Sequence, residues 1–85
     1  MLADLTGKVA FITGAAQGIG RGIAVVMAEQ GADVTVADID MEAAASVVAE
    51  VEALGRRAIA VETDVTNDAM VKAAVRGATE TLGPI

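Results

Sequence analysis

The sequence has no cysteine, histidine, tryptophan or tyrosine, one phenylalanine (Phe11) and one proline (Pro84). Without cysteine there are no disulfides and no thiolate metal sites, and without histidine a zinc site would have to be all carboxylate, so no metal role is expected. The shortage of aromatics means that a core must be assembled from Ala, Val, Ile, Leu and Met, a composition suited to helices laid closely on a sheet. Basic residues are also scarce: six against twelve acidic ones give a net charge of −6. None of the six forms a patch of the kind that grips a phosphate backbone, so nucleic acid is not an expected partner. Long apolar runs are missing as well. Asp4 precedes any apolar stretch, no basic segment leads into one, and nothing approaches the ~20 apolar residues of a membrane span. The expectation is a cytoplasmic chain with neither signal peptide nor transmembrane helix.

What is present is a regular alternation of short apolar runs and helical stripes, in the order β-α-β-α-β-α. Val9–Ile12, Val34–Ala37 and Ala58–Val61 are runs without polar alternation, as parallel strands covered on both faces require. Between them, Ile19, Ile23, Val26 and Met27 form a helical stripe closed by Gly31. Ala44, Val47, Val48, Val51 and Leu54 form a second stripe, closed by Gly55. Thr66 is placed to cap a third helix, whose buried stripe is Val71, Ala74, Val75, Ala78 and Leu82 and which ends at Gly83-Pro84. Asp68 and Lys72 make an i,i+4 pair on its wet side. Right-handed crossovers turn this string into three parallel strands in the order 3-2-1, with the first two helices on one face and the third crossing to the other. The expected architecture is the first half of a Rossmann-type doubly wound α/β fold, one domain over residues 1–85 that stops before a fourth strand. At this size the fraction of surface buried is little above the roughly 60% of a 60-residue domain, so stability should be marginal.

The chemistry lies in the turn Thr13-Gly14-Ala15-Ala16-Gln17-Gly18-Ile19-Gly20. A helix that starts directly after a strand points unpaired N–H groups and the positive end of its dipole at whatever sits there, and a dinucleotide pyrophosphate suits that position. Gly14 allows the reversal after the strand, Gly18 lets a phosphate approach the backbone, and Gly20 lets the helix pack on the strand. The turn lies in a βαβ unit and is followed about 20 residues later by an acid, as a dinucleotide fingerprint demands. No Gly-Lys-Ser/Thr closes it, which excludes a P-loop. Asp38 ends the second strand, where a carboxylate accepts hydrogen bonds from ribose hydroxyls and repels a 2′-phosphate. No Arg or Lys occurs between Ile23 and Gly55, and Gln17 rather than a base precedes Gly18. NAD is therefore expected over NADP. Asp40 reads as the cap of the next helix, and Arg21 as equally suited to solvent or to a phosphate.

Thr-Gly-x-x-x-Gly-x-Gly at Thr13–Gly20, preceded by Gly7-Lys8-Val9-Ala10-Phe11-Ile12, resembles the opening of the short-chain dehydrogenase/reductase family, and the resemblance runs the length of the chain. It implies an oxidoreductase that passes hydride between NAD(H) and an alcohol or carbonyl substrate. It also implies that Asp64 meets the adenine amino group while the backbone at Val65 touches the ring. The expected cofactor set is thus Gly14, Gln17, Gly18, Ile19, Gly20, Asp38, Asp64 and Val65. The family's catalytic Tyr, Lys, Ser and Asn have no counterparts here, so no catalytic residue is expected in these 85 residues. The alternative is a non-catalytic half-domain that binds NAD or an adenine nucleotide, or lends its fold to a partner chain. The unpaired apolar edge of the first strand favours pairing with another copy, which predicts a homo-oligomer or poor solubility.

Overall fold

The computed structural model describes residues 4–14 and 18–85. Its elements are β1 (Val9–Thr13), α1 (Gly18–Glu29), β2 (Asp33–Asp38), α2 (Met41–Ala53), β3 (Ala58–Glu62) and α3 (Asp68–Leu82). The strands form one parallel sheet with β2 in the centre, so the expected order 3-2-1 and the β-α-β-α-β-α half of a doubly wound fold are what the chain adopts. Among the described residues no helix is long and apolar enough to cross a membrane.

Strand periodicity divides β2 between two layers. Val34 and Val36 point to one face and are fully buried there with Ala24 and Ala28 of α1 and Ala44, Val47 and Val51 of α2. Each such valine contributes about 1.5–3 kcal/mol relative to an exposed one. Asp33, Thr35 and Ala37 point to the other face, which α3 covers with Ala74, Ala78 and Leu82. α3 touches all three strands and neither of the other helices, so it lies across the sheet from them.

Two helices present faces other than those their large residues suggest. On α1 the residues against the sheet are Ala24 and Ala28, while Ile19, Ile23 and Val26 face outward, Ile19 being 83% exposed. Alanine at i and i+4 lets the helix axis approach the strands closely, and the bulky stripe is left exposed. On α3, Val75 is exposed for the same reason, between buried Ala74 and Ala78.

The helix ends follow the chemistry of their caps. Asp40 caps α2, its Oδ1 accepting the Ala43 N–H at 3.1 Å. The cap of α3 is Asn67 and not Thr66: Asn67 Oδ1 accepts the Met70 N–H at 3.1 Å, while Thr66 is engaged with Asp64. Gly31 closes α1 with a φ of 104°, letting the Ala32 N–H reach the Met27 carbonyl and the Gly31 N–H reach that of Ala28. This six-to-one closure needs a left-handed residue at that point. Lys72 and Asp68 pair at 3.0 Å on the solvent side of α3.

The N-terminal end of the sheet is held by an unanticipated cluster. Asp33 is 5% exposed. Its Oδ1 accepts Arg56 Nη2 at 3.0 Å and the Arg57 N–H at 3.0 Å, and its Oδ2 accepts Arg57 Nε at 3.1 Å and Nη2 at 2.9 Å. Arg57 Nη2 also donates to the Leu82 carbonyl at 3.1 Å, so one guanidinium ties β2 to the C-terminus of α3.

Candidate functional site

The opposite end of the sheet is where each strand gives way to a helix. There Gly14 follows β1 with a φ of 60° and Gly18 opens α1 with a φ of 58°. A Cβ added at either would meet no atom within 4 Å, so packing does not call for glycine at these points. The positive φ does, and the space beside both backbones is open to a ligand. Gln17 lies outside the described residues. Ile19 is exposed and Gly20 half-buried in the first turn of α1. That first turn has no acidic residue, whereas the first turns of α2 and α3 hold Glu42 and Asp68. The partial positive charge at the start of α1 is thus not offset by a carboxylate in its own first turn and remains available to an anion.

Beside this turn is a shallow cleft of about 200 Å³ lined by Gly14, Asp38, Ile39, Thr63, Asp64 and Val65. Four of the expected cofactor residues therefore share one surface, although they come from three strand ends separated by up to fifty residues. The backbone builds this surface directly: the Gly14 N–H donates to the Ala37 carbonyl at 2.9 Å, and the Thr63 N–H to the Asp38 carbonyl at 3.0 Å. These bonds extend the ladder past the strands and bring the three exits level.

Both carboxylates are oriented by short loops. Asp38 is half-buried, and its Oδ1 accepts the Asp40 N–H at 3.0 Å. Asp64 Oδ1 accepts the Thr66 hydroxyl at 2.6 Å and the Thr66 N–H at 2.9 Å. These two bonds, the hydroxyl first, hold the Asp64 carboxyl below the ordinary carboxylate range. Ile39 and Val65, both well exposed, supply apolar surface on either side. Two carboxylates with apolar surface in the same cleft suit a flat group that carries hydrogen-bond donors.

All six basic residues are described, and none lines the cleft. Arg21 forms a two-pronged pair with Glu50, Nε to Oε1 at 2.8 Å and Nη2 to Oε2 at 2.5 Å, and so links α1 to α2. Arg56 and Arg57 are at the far end of the sheet with Asp33. Ile39 and Thr63 were not anticipated in the cleft. The signal for Ile39 was available, since it is a large apolar residue between two acids in a turn that needs none. Thr63 stands one residue before Asp64, and its burial follows only from the sheet: it is 3% exposed, with its hydroxyl donated to the Val61 carbonyl at 3.1 Å.

Comparison with known proteins gives the family. The family model described as short chain dehydrogenase matches residues 8–85. Cyclohexanol dehydrogenase of Acinetobacter sp. strain SE19 is 46% identical over 78 residues, covering 92% of this chain and 31% of that protein. The 7alpha-hydroxysteroid dehydrogenase of Escherichia coli K12 is 43% identical over 81 residues, covering 95% and 32%. Among solved structures, carveol dehydrogenase from Mycobacterium avium in complex with NAD superposes with a TM-score of 0.92 at 35% identity, covering 99% of this chain and 35% of that one. The chain spans about a third of the length of these relatives.

Proposed function

The chain belongs to the short chain dehydrogenase family, and on that premise we propose that it is the cofactor-binding portion of an NAD-dependent oxidoreductase acting on an alcohol or carbonyl substrate. The observation that carries this reading is the single cleft at the C-terminal ends of the strands, where Gly14, Asp38, Asp64 and Val65 converge beside the start of α1. In this reading the backbone N–H groups from Gly18 to Gly20 face the pyrophosphate. Asp38 accepts from the adenosine ribose, Asp64 accepts from the adenine amino group, and Ile39 and Val65 flank the adenine ring. Ile19, exposed at the helix start, covers the cofactor beyond the pyrophosphate, and Gln17 belongs to the same turn. Bound NAD(H) supplies the hydride carrier, and the reading assigns the proton donor and the substrate side to sequence beyond these residues.

NAD is favoured over NADP because the cleft offers a 2′-phosphate only carboxylates. No basic side chain lines it among the described residues, and Arg21 is paired with Glu50. The test is calorimetric titration of the protein and its Asp38→Ala variant with NAD and NADP. The wild type should prefer NAD, and the variant should lose on the order of tenfold or more of that preference. An unchanged ratio of the two affinities refutes the role given to Asp38.

A further inference from the structure

We infer that Thr66 is a positioning residue for adenine recognition, setting the Asp64 carboxylate so that one oxygen faces the cleft; the inference rests on the reading of Asp64 given above. An Asp at a strand exit commonly accepts the N–H two residues on, so the bond particular to Thr66 is that of its hydroxyl, whose own candidate duty is to cap the following helix. That duty falls to Asn67, whose Oδ1 takes the Met70 N–H. Thr66 is thereby released, and both of its donors converge on a single atom: the hydroxyl lies 2.6 Å and the N–H 2.9 Å from Asp64 Oδ1. No hydrogen bond from a described residue ends on Asp64 Oδ2.

The consequence is geometric. Two donors on one oxygen fix both the position and the plane of a carboxylate, because each prefers to lie near that plane along a lone pair. With Oδ1 occupied on both sides, Oδ2 is left as the acceptor, on a residue that lines the cleft. An ionised carboxylate accepts only. It therefore welcomes a base that presents an amino group at this edge and rejects one that presents a carbonyl oxygen there. The Thr66 hydroxyl also keeps Asp64 ionised, but an ordinary Asp is ionised at neutral pH without help. Its contribution at pH 7 is therefore orientation rather than charge.

The experiment compares NAD with its hypoxanthine analogue, in which the exocyclic amino group becomes a carbonyl oxygen and ring N1 changes from acceptor to donor, while the ribose and pyrophosphate are the same. Dissociation constants of the protein and of Thr66→Val, Thr66→Ser and Asp64→Ala are measured by calorimetry at pH 7, with no turnover required. The wild type should favour NAD by on the order of tenfold, the size of one hydrogen bond to a charged acceptor. Thr66→Val, which keeps the backbone N–H and removes only the hydroxyl, should lower the ratio several-fold, and Thr66→Ser, which restores the hydroxyl, should return it. A general loss of loop structure would weaken both dinucleotides together and would not be rescued in the ratio. If Thr66→Val keeps the wild-type ratio while Asp64→Ala abolishes it, the positioning role is wrong and the adenine reading stands. If Asp64→Ala also leaves the ratio unchanged, Asp64 does not meet the adenine amino group and both fall.

Discussion

Substituting Asp33 by Asn keeps the shape of the side chain and removes the charge on which two arginines converge. The carboxylate accepts four hydrogen bonds, two on each oxygen. Asn retains one oxygen and turns an N–H₂ donor toward guanidinium donors, so about half of the bonds are lost and the rest lose the charge of their acceptor. Breaking a fully buried pair in this way costs about 3–5 kcal/mol. Here the side chains of Arg56 and Arg57 are 32% and 62% exposed and rehydrate when released, which lowers the cost to roughly 2–3 kcal/mol. For a domain of this size each kcal/mol moves the melting temperature by about 4–8 °C, so a fall of roughly 10–20 °C is expected.

Acid provides a second readout of the same substitution. Burial raises the pKa of Asp33, but the Arg57 N–H and the two guanidinium groups overcome it and hold the carboxyl below its ordinary 3.8. A depressed folded-state pKa contributes stability that is fully present above the unfolded value and is lost as pH falls through the folded one. The gap between wild type and Asp33→Asn should thus be constant above about pH 5 and close progressively below about pH 4. Thermal melts followed by circular dichroism across that range measure it. A variant melting within a few degrees of wild type at pH 7, or a gap undiminished at pH 3, refutes the assignment of this cluster as the lock on the N-terminal end of the sheet.

Other substitutions test the packing. Thr35 sits fully buried in the middle of β2, and its hydroxyl has no partner among the described residues. Thr35→Val should accordingly raise stability by about 1 kcal/mol in a urea titration, and a loss of stability would show that the hydroxyl is satisfied. Gly31→Ala should be more costly than Gly55→Ala. Both positions have positive φ, 104° and 84°, but a Cβ at Gly31 would lie 2.7 Å from Thr6 Oγ1 and 3.0 Å from the Thr6 nitrogen, whereas at Gly55 it would meet nothing within 4 Å. About 1–2 kcal/mol of backbone strain is common to both, and equal losses in denaturant melts would contradict the contact at Thr6.

The strands and the site were legible in the sequence to different depths, for physical reasons. The strand cores, the order of the sheet and the glycine closures come from local rules, and each appears within a residue or two of where periodicity placed it. The face of α1 did not follow, because a stripe of Ile19, Ile23 and Val26 outweighs Ala24 and Ala28 on any scale that ranks side chains by size, while the sheet selects the face that approaches most closely. Thr66 and Asn67 are both good caps and adjacent, so the choice turned on whether Asp64 would claim one of them. Asp38 was readable because a dinucleotide fingerprint fixes its distance from the turn, whereas Asp64 and Val65 came only from the family resemblance. Asp33 with Arg56 and Arg57, and Arg21 with Glu50, pair across 23 to 29 residues, and no local pattern announces a partner that far along the chain.

The means by which the two ends of the sheet are fastened bear on how such a domain changes over generations. The Asp33 cluster reaches across three elements, so a substitution there unsettles all of them at once. Asp64, by contrast, takes its side-chain hydrogen bonds from a residue only two positions away. A new residue at position 64 disturbs a single loop and leaves the fastening at the other end untouched. Residues can drift at one pole of this fold while the opposite pole preserves the framework that makes the drift survivable.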